Sequence, residues 1–309
     1  IENGSLKLID GIPVVHVRGT HREMGRALGN LVGVQAVESS HAYLGVFAPD
    51  RGGDLELARE MEPNLPQWLR EEMLGFSETS ELSYQEMLLG QCFLDIHKVA
   101  ACSTIAVHDK LSETGEILMG RNLDFPSLSI ADETNIVVVY EPKDGEPYAG
   151  VTWPGFLGIL TGVNTRGLAL SMMLVYGHQR REHLDGLPFP VLFRQLLQDC
   201  ASVREADAIL QRKQHCTATN LILGDATRTA ARFQLPPHDL VVEYTDANTP
   251  ATACTNHYHE RRIKKFAFTW FSSAVRFGKL RRRIMRDEKM NVQSIKDALQ
   301  DTGIPSINL

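Results

Sequence analysis

Cys102 stands in the stretch "KVAACSTIAVHDK", with two alanines before it and Ser103, Thr104 and an apolar run after it. If the bond between Ala101 and Cys102 were broken, Cys102 would carry a free α-amine beside its own thiol. An α-amine titrates near ~8, so at neutral pH part of it is unprotonated and can accept the thiol proton. Nucleophile and base then belong to one residue, as in a threonine activated by its own N-terminal amine. Small residues upstream leave room for the tight geometry of self-cleavage. The plainer reading is a core thiol, since free cysteine is among the most buried residue types.

Two further clusters could do chemistry. In "CTNHYHE", Cys254, His257 and His259 are potential soft metal ligands, but their spacing matches no standard zinc pattern and four coherent ligands are not evident. No metal and no cofactor is expected. The stretch from Arg261 to Arg286 holds ten Lys/Arg and no acid. Such runs are most often solvated helix faces. The functional alternatives are a membrane-surface patch or a seat for an anionic acyl donor such as a CoA thioester.

The elements that must position these groups follow from pattern. From about Thr20 to Ala100 the chain reads as helical. "HREMGRALGNLVGVQAVESSHAYL" puts Met24, Ala27, Leu28, Leu31 and Val32 on one face. Ser83 with Glu86 forms a capping box ahead of "YQEMLLGQCFLDIHKV". Cys102 therefore opens a strand just after a helix ends. From there to about Met173 short β-rich runs alternate with "TG", "KDG" and "TRG" turns. A helical pair follows, "PFPVLFRQLLQDC" and "SVREADAILQRK", the second opened by Ser202 and Glu205 as a further box. Strands return in "TATNLILGD", "TAARFQLP" and "DLVVEYT", and the end from about Glu260 is helical and basic. Runs of strands alternating with runs of helices favour an α+β layered fold.

Composition narrows the class. The 309 residues, 43% apolar, can bury a large core, read here as a single domain over 1–309. A net charge of −6 argues against nucleic acid as a partner. No apolar run approaches the ~18 residues of a membrane span. Five cysteines (Cys92, Cys102, Cys200, Cys216 and Cys254) are too scattered for a disulfide framework, and an odd number leaves at least one thiol free. The start at Ile1 rather than Met leans toward an exported, periplasmic protein whose leader has been removed.

"ACSTIAV", "GEILMGRNLDF", "GVNTRGLALSMML", "CTATNLILGDA" and "ACTNHY" occur in this order, with "VVHVRGTHREMGRALGNLVG" upstream. In this the sequence resembles the isopenicillin N acyltransferase-like branch of the N-terminal nucleophile (Ntn) hydrolases, relatives of penicillin V acylase and bile-salt hydrolase. The resemblance covers about Pro13 to Ser294. It implies a four-layer αββα sandwich and a precursor that cuts itself between Ala101 and Cys102. The products would be a mostly helical α fragment, 1–101, and a β fragment, 102–309, that stay associated. It also implies a hydrolase or acyltransferase acting on the amide or thioester of a small acyl substrate.

The matched residues have physical reasons. Cys102 would attack the acyl carbon. In "GRNLDF", Gly120 permits close backbone approach, Arg121 could favour the thiolate and Asp124 could hold the Cys102 α-amine, with an ordinary strand-end ion pair of Arg121 and Asp124 as the structural alternative. Strand alternation puts Arg121 on the face opposite Asp124, so both reach the nucleophile only through a bend or bulge. The resemblance gives Asn220 the role of oxyanion donor, while an asparagine satisfying backbone groups at a strand end is the structural alternative. It places Asn256 and His257 at the back of the active-site region, and Ser272 and Ser273 in an "SS..R" helix start near the substrate. Met172 and Met173 stand where relatives often carry an asparagine; plain core packing is the leading reading, and an adaptable apolar wall for an acyl chain the functional one. Relatives carry further strands after "SIKDALQD", whereas this chain stops at Leu309, which implies a smaller sheet or a truncated sequence. Two other readings remain: an uncut Ntn-like binding scaffold, and a Cys–His hydrolase using His257.

Overall fold

The structure is a computed structural model that describes residues 1–130, 133–177, 184–213, 216–237, 239–286 and 289–300. The expected ending at Leu309 lies outside the described residues. The strands are β1 (Gly4–Ile9), β2 (Ile12–Gly19), β3 (Ala101–Val107), β4 (Leu118–Asp124), β5 (Ile136–Pro142), β6 (Tyr148–Thr152), β7 (Thr161–Asn164), β8 (Ala169–Leu174), β9 (Thr219–Gly224), β10 (Ala230–Leu235), β11 (Val241–Tyr244) and β12 (Ala251–Cys254). The helices are α1 (His21–Phe47), α2 (Arg51–Met61), α3 (Gln67–Ser77), α4 (Tyr84–Ile96), α5 (Phe189–Asp199), α6 (Val203–Leu210), α7 (Phe271–Arg286) and α8 (Val292–Gln300). The class is α+β.

The chain forms two compact units. One comprises Ile1–His97, Ser127–Thr165 and Leu184–Asp199. Its strands run β1-β2-β5-β6-β7, with β2 and β5 parallel and the other described pairs antiparallel. Helix α1 lies on β1, β2 and β5 and buries the predicted stripe Met24, Ala27, Leu28 and Val32, with Leu31 half-buried at its margin. The β1–β2 hairpin turns on Asp10-Gly11, both at positive φ (50° and 81°), between the paired Ile9 and Ile12, and four of the six β1 residues are exposed. The capping box of α4 forms as expected: Ser83 Oγ accepts the Glu86 N–H, and Glu86 accepts the Ser83 N–H at 2.9 Å.

At the centre of this unit Arg194 is fully buried. Its guanidinium donates to Glu72 Oε1 and Oε2 at 3.0 and 2.6 Å, to Tyr148 Oη at 2.7 Å and to the Leu157 carbonyl at 2.8 Å. The rings of Tyr140 and Trp68 lie against it at 4.3 and 4.7 Å. Burial alone would raise the Glu72 carboxyl, but Arg194 and His21 hold it below the ordinary range.

The other unit comprises Lys98–Pro126, Arg166–His183 and Cys200–Leu309. It has one run of strands, β8-β9-β10-β11, and a three-stranded sheet in the order β12-β3-β4. The two pack face to face through β3, β12, β8, β9 and β10, and α7 and α8 cover the outer side of the small sheet. Strand β3 sorts its side chains by parity. Ile105 and Val107 point to the helices and share a core with Leu280, Met290, Ile295 and Ala298. Thr104 faces β8, with its Oγ1 2.8 Å from Ser171 Oγ and 2.9 Å from Met173 Sδ. Gly120 has the purpose its sequence context suggests: a Cβ there would run into Ile295 and Leu299 of α8. One helix start differs from expectation. Ser202 accepts the Glu205 N–H, but Glu205 reaches back to the Ala201 N–H at 2.8 Å rather than to that of Ser202.

Candidate active site

Cys102 is the second residue of β3 and is fully buried. The β3–β4 register is unbroken, from Ala101 opposite Asp124 to Val107 opposite Leu118. No bulge disturbs it, so alternation holds. Arg121, paired with Thr104, shares the inter-sheet face with the Cys102 side chain. Its Nη2 lies 3.3 Å from Cys102 Sγ and 3.5 Å from Met172 Sδ. The guanidinium thus donates directly to the sulfur. Asp124 lies on the opposite face, exposed, within electrostatic reach of Arg276 and Arg121.

The Cys102 N–H goes elsewhere. Strand β12 pairs with β3 as Ala251↔Val107 through Cys254↔Thr104. Continuing that register puts residue 256 opposite Cys102, just where β12 has ended. There the ladder is closed by a side chain: Asn256 Oδ1 accepts the Cys102 N–H at 2.7 Å. Asn256 Nδ2 donates to the Leu174 carbonyl at 2.7 Å, which fixes the amide's orientation.

Arg276, the arginine of the "SS..R" helix start, reaches in from α7. It donates to the Cys102 carbonyl, to Ser103 Oγ at 2.7 Å and to Asn256 Oδ1 at 2.9 Å. Burial lowers its pKa, with Asp124 opposing. In the sequence it is one cation among ten, and only its helical spacing from Ser272 and Ser273 separates it from the rest.

Asn220, on β9, is buried with both amide hydrogens committed, donating to the Thr255 and His257 carbonyls at 3.0 and 2.9 Å. Those residues flank Asn256. Two acceptors on Nδ2 leave no choice of amide orientation. His257 Nδ1 is 2.8 Å from Ser273 Oγ and 3.2 Å from Thr255 Oγ1, and Thr255 Oγ1 is 3.0 Å from the Ser273 carbonyl. The result is a buried clamp between the 255–257 turn and the first turn of α7. Burial, then Lys264, Arg276 and Arg232, push the His257 pKa down to about 4. Burial first, then Arg232, His257, Lys264 and Arg281, bring His259 to about 2. Cys254 is pushed up to about 12 by burial, which makes it an inert thiol. Met172 and Met173 are buried in β8, their sulfurs against Arg121 and Thr104.

Comparison with known proteins now bears on this arrangement. A family model described as acyl-coenzyme A:6-aminopenicillanic acid acyl-transferase matches residues 111–302. An uncharacterized protein of Archaeoglobus fulgidus is 22% identical over 280 residues, 79% of this chain and 47% of that protein. The N-acylethanolamine-hydrolyzing acid amidase of Cavia porcellus is 29% identical over 107 residues, 35% of this chain and 29% of that protein. The Caenorhabditis elegans ortholog of N-acylethanolamine-hydrolyzing acid amidase shares the fold, with a TM-score of 0.52, 19% identity, and 67% of this chain and 88% of that one covered. The chain spans less than half the length of the curated relatives it matches. The family match takes in more than half of the chain and the fold agrees with it, so the chain belongs to the acyl-coenzyme A:6-aminopenicillanic acid acyl-transferase family of Ntn hydrolases.

Proposed function

We propose that the protein is a self-processing N-terminal cysteine hydrolase or acyltransferase, acting on a linear amide or thioester through an acyl-Cys102 intermediate. The observation that carries this reading is the three-way hold on Cys102. Its sulfur lies on Arg121, its N–H on Asn256 and its carbonyl on Arg276. Any buried residue needs its N–H and carbonyl paired, but a core cysteine needs no guanidinium on its sulfur.

In the first step Cys102 Sγ attacks the Ala101 carbonyl carbon, the Ala101–Cys102 C–N bond breaks and the nitrogen takes a proton. Water then hydrolyses the resulting thioester and leaves Cys102 with a free α-amine. Ala100 is buried in the uncut chain and Tyr176 Oη donates to its carbonyl at 3.3 Å. Release of that segment would open the way to the thiol. In turnover the α-amine takes the thiol proton, sulfur adds to the acyl carbon, and the leaving group departs with a proton. Water or an amine then takes the acyl group from sulfur.

Arg121 stabilises the sulfur anion. Asn256 orients the α-amine, the duty the sequence suggested for Asp124, and its second Nδ2 hydrogen, which takes no acceptor among the described residues, is assigned here to the oxyanion. Asn220, with both hydrogens engaged, holds the Asn256 turn instead. Asp124 and Arg276 form an electrostatic pair on the helix side of β3. Met172 lines the apolar side of the cleft, with Met173 packed behind it. The Cys–His alternative is disfavoured because no hydrogen bond among the described residues links His257 to Cys102, and because burial depresses its pKa to about 4.

The family description names an acyl-CoA donor and an amine acceptor, and two of the relatives are named for hydrolysing N-acylethanolamines. Their shared element is an acyl group carried on nitrogen or sulfur, and that is the substrate class proposed here. A denaturing gel with N-terminal sequencing tests the reading. Wild type should give pieces of 101 and 309 − 101 = 208 residues, the larger beginning at Cys102. Cys102→Ala should stay whole and turn over no acyl amide. A full-length wild type that still cleaves amides would defeat the Ntn mechanism.

A further inference from the structure

The segment from Phe268 to Phe271 and the outer side of α7 carry large apolar side chains in the open. Phe268, Trp270, Phe271 and Met285 are 55, 56, 81 and 76% exposed. Along α7 the exposed positions Phe271, Ala274, Arg281, Arg282 and Met285 recur at helical spacing and form one face, while Ser273 and Leu280 are buried. Three open aromatics within four residues are unusual on a surface that only meets water.

The same stretch is strongly cationic. No acid intervenes between Arg261 and Arg286. Arg262 is paired with Asp239 at 2.5 Å, and Arg276 is turned inward. Arg261, Lys264, Arg281, Arg282 and Arg286 have no acidic partner among the described residues. Lysines and arginines around exposed aromatics are the composition of an interfacial helix, whose rings enter the headgroup boundary while the cations meet anionic lipids. At 16 residues, and with no described helix long and apolar enough to cross a membrane, α7 can lie on a bilayer but not span it.

We propose that the Phe268–Phe271 lip and the outer face of α7 dock on an anionic lipid bilayer. Charge complementarity favours this occupant: each Lys or Arg near such a surface strengthens binding by about fivefold. The apolar members separate a bilayer from a nucleic acid, since a phosphate backbone gives Met285 nothing to bury in. The docking face backs directly onto the nucleophile. Trp270 packs on Tyr176 at 5.7 Å between ring centroids, Tyr176 holds the Ala100 carbonyl, and the inner side of α7 presents Arg276 to Cys102. The proposal does not depend on the reaction, because binding is read without turnover.

The test is co-sedimentation with phosphatidylcholine vesicles containing about 30% phosphatidylserine, against pure phosphatidylcholine. Binding is expected only with the anionic lipid, and should weaken as salt rises. The pair Arg281→Ala and Arg282→Ala should lower partitioning by about twentyfold or more. The pair Phe271→Ser and Met285→Ser should lower it by about tenfold or more. All four side chains are exposed, so both variants should keep the wild-type thermal midpoint and cleavage pattern. Absence of sedimentation with the anionic vesicles would overturn the proposal. So would tight binding to single-stranded DNA that responds to the arginine pair but not to the apolar pair.

Discussion

Asn256 stands opposite Cys102 in the antiparallel register, and its side-chain oxygen does what a backbone carbonyl would do if β12 ran two residues further. The nucleophile's nitrogen is thus held by a group that does not belong to the β-ladder. Such a group could follow that nitrogen if processing turned it from amide to amine.

This arrangement separates two asparagines that look equivalent in the sequence. Asn256→Ala should lower kcat by about 10²-fold or more, since a preorganised donor aimed at developing charge contributes ~3 kcal/mol to the barrier. Asn220→Ala should instead cost ~1–3 kcal/mol of stability by leaving the Thr255 and His257 carbonyls unpaired. Single-turnover rates and denaturant midpoints for both variants decide the assignment. A large kcat loss at Asn220 with an unchanged midpoint would restore Asn220 as the oxyanion donor.

Arg121→Met keeps most of the side-chain volume and removes the cation 3.3 Å from Cys102 Sγ. Alkylation of Cys102 by iodoacetamide should slow by about tenfold or more, because the charge-assisted contact to the attacking sulfur is lost. Arg121→Lys should recover part of that rate. Equal alkylation in all three proteins would remove Arg121 from the reacting centre.

The buried histidines make the fold acid-labile. The His257 pKa is about 4 in the fold, against an ordinary value of 6.5. Below pH 6.5 the unfolded chain therefore gains a proton that the folded chain refuses. The stabilisation is complete above pH 6.5 and is lost as pH falls toward 4, on the order of 3 kcal/mol. His259 adds to the loss in the same direction down to about pH 2. His257→Gln should flatten the decline in denaturant midpoint between pH 6.5 and 4, and an unchanged slope would refute the attribution.

Removing one partner of the Arg194–Glu72 pair should be severe. Arg194→Met or Glu72→Gln alone is expected to cost ~3–5 kcal/mol, because the remaining group is left without its partner in an apolar interior. Arg194→Met combined with Glu72→Leu should recover much of that loss. A simple sum of the two single effects would argue against coupling.

Much of the secondary structure was legible because it rests on local rules. The α1 stripe and the Ser83 box need only residues within a few turns of each other. Cys102 was legible as a helix-to-strand junction, and Arg121 through the family resemblance, strand parity adding only that it and Asp124 lie on opposite faces. What escaped was whatever depends on distant pairing. The Asn256 contact spans 154 residues and the Arg276 contact 174, and no periodicity announces either. Asn220 was recognised as a polar group needing a purpose, but its acceptors lie 35 and 37 residues away. The β1–β2 hairpin escaped for a different reason. Leu6 and Leu8 alternate with Ser5 and Lys7 but are exposed, so they mark no core face, and the local signal is the Asp10-Gly11 turn.

The buried Arg194–Glu72 pair has a meaning beyond stability if the chain is cut at Ala101–Cys102. Glu72 then belongs to one product and Arg194 to the other, and the parallel pairing of β2 with β5 is divided the same way. The mature protein becomes an obligate heterodimer of two subunits born in equal number from one translation product. Dilution would not part them, because separation would carry two charges out of their mutual shelter and expose the face of α1 at once. Neither half, made alone, should find the native state.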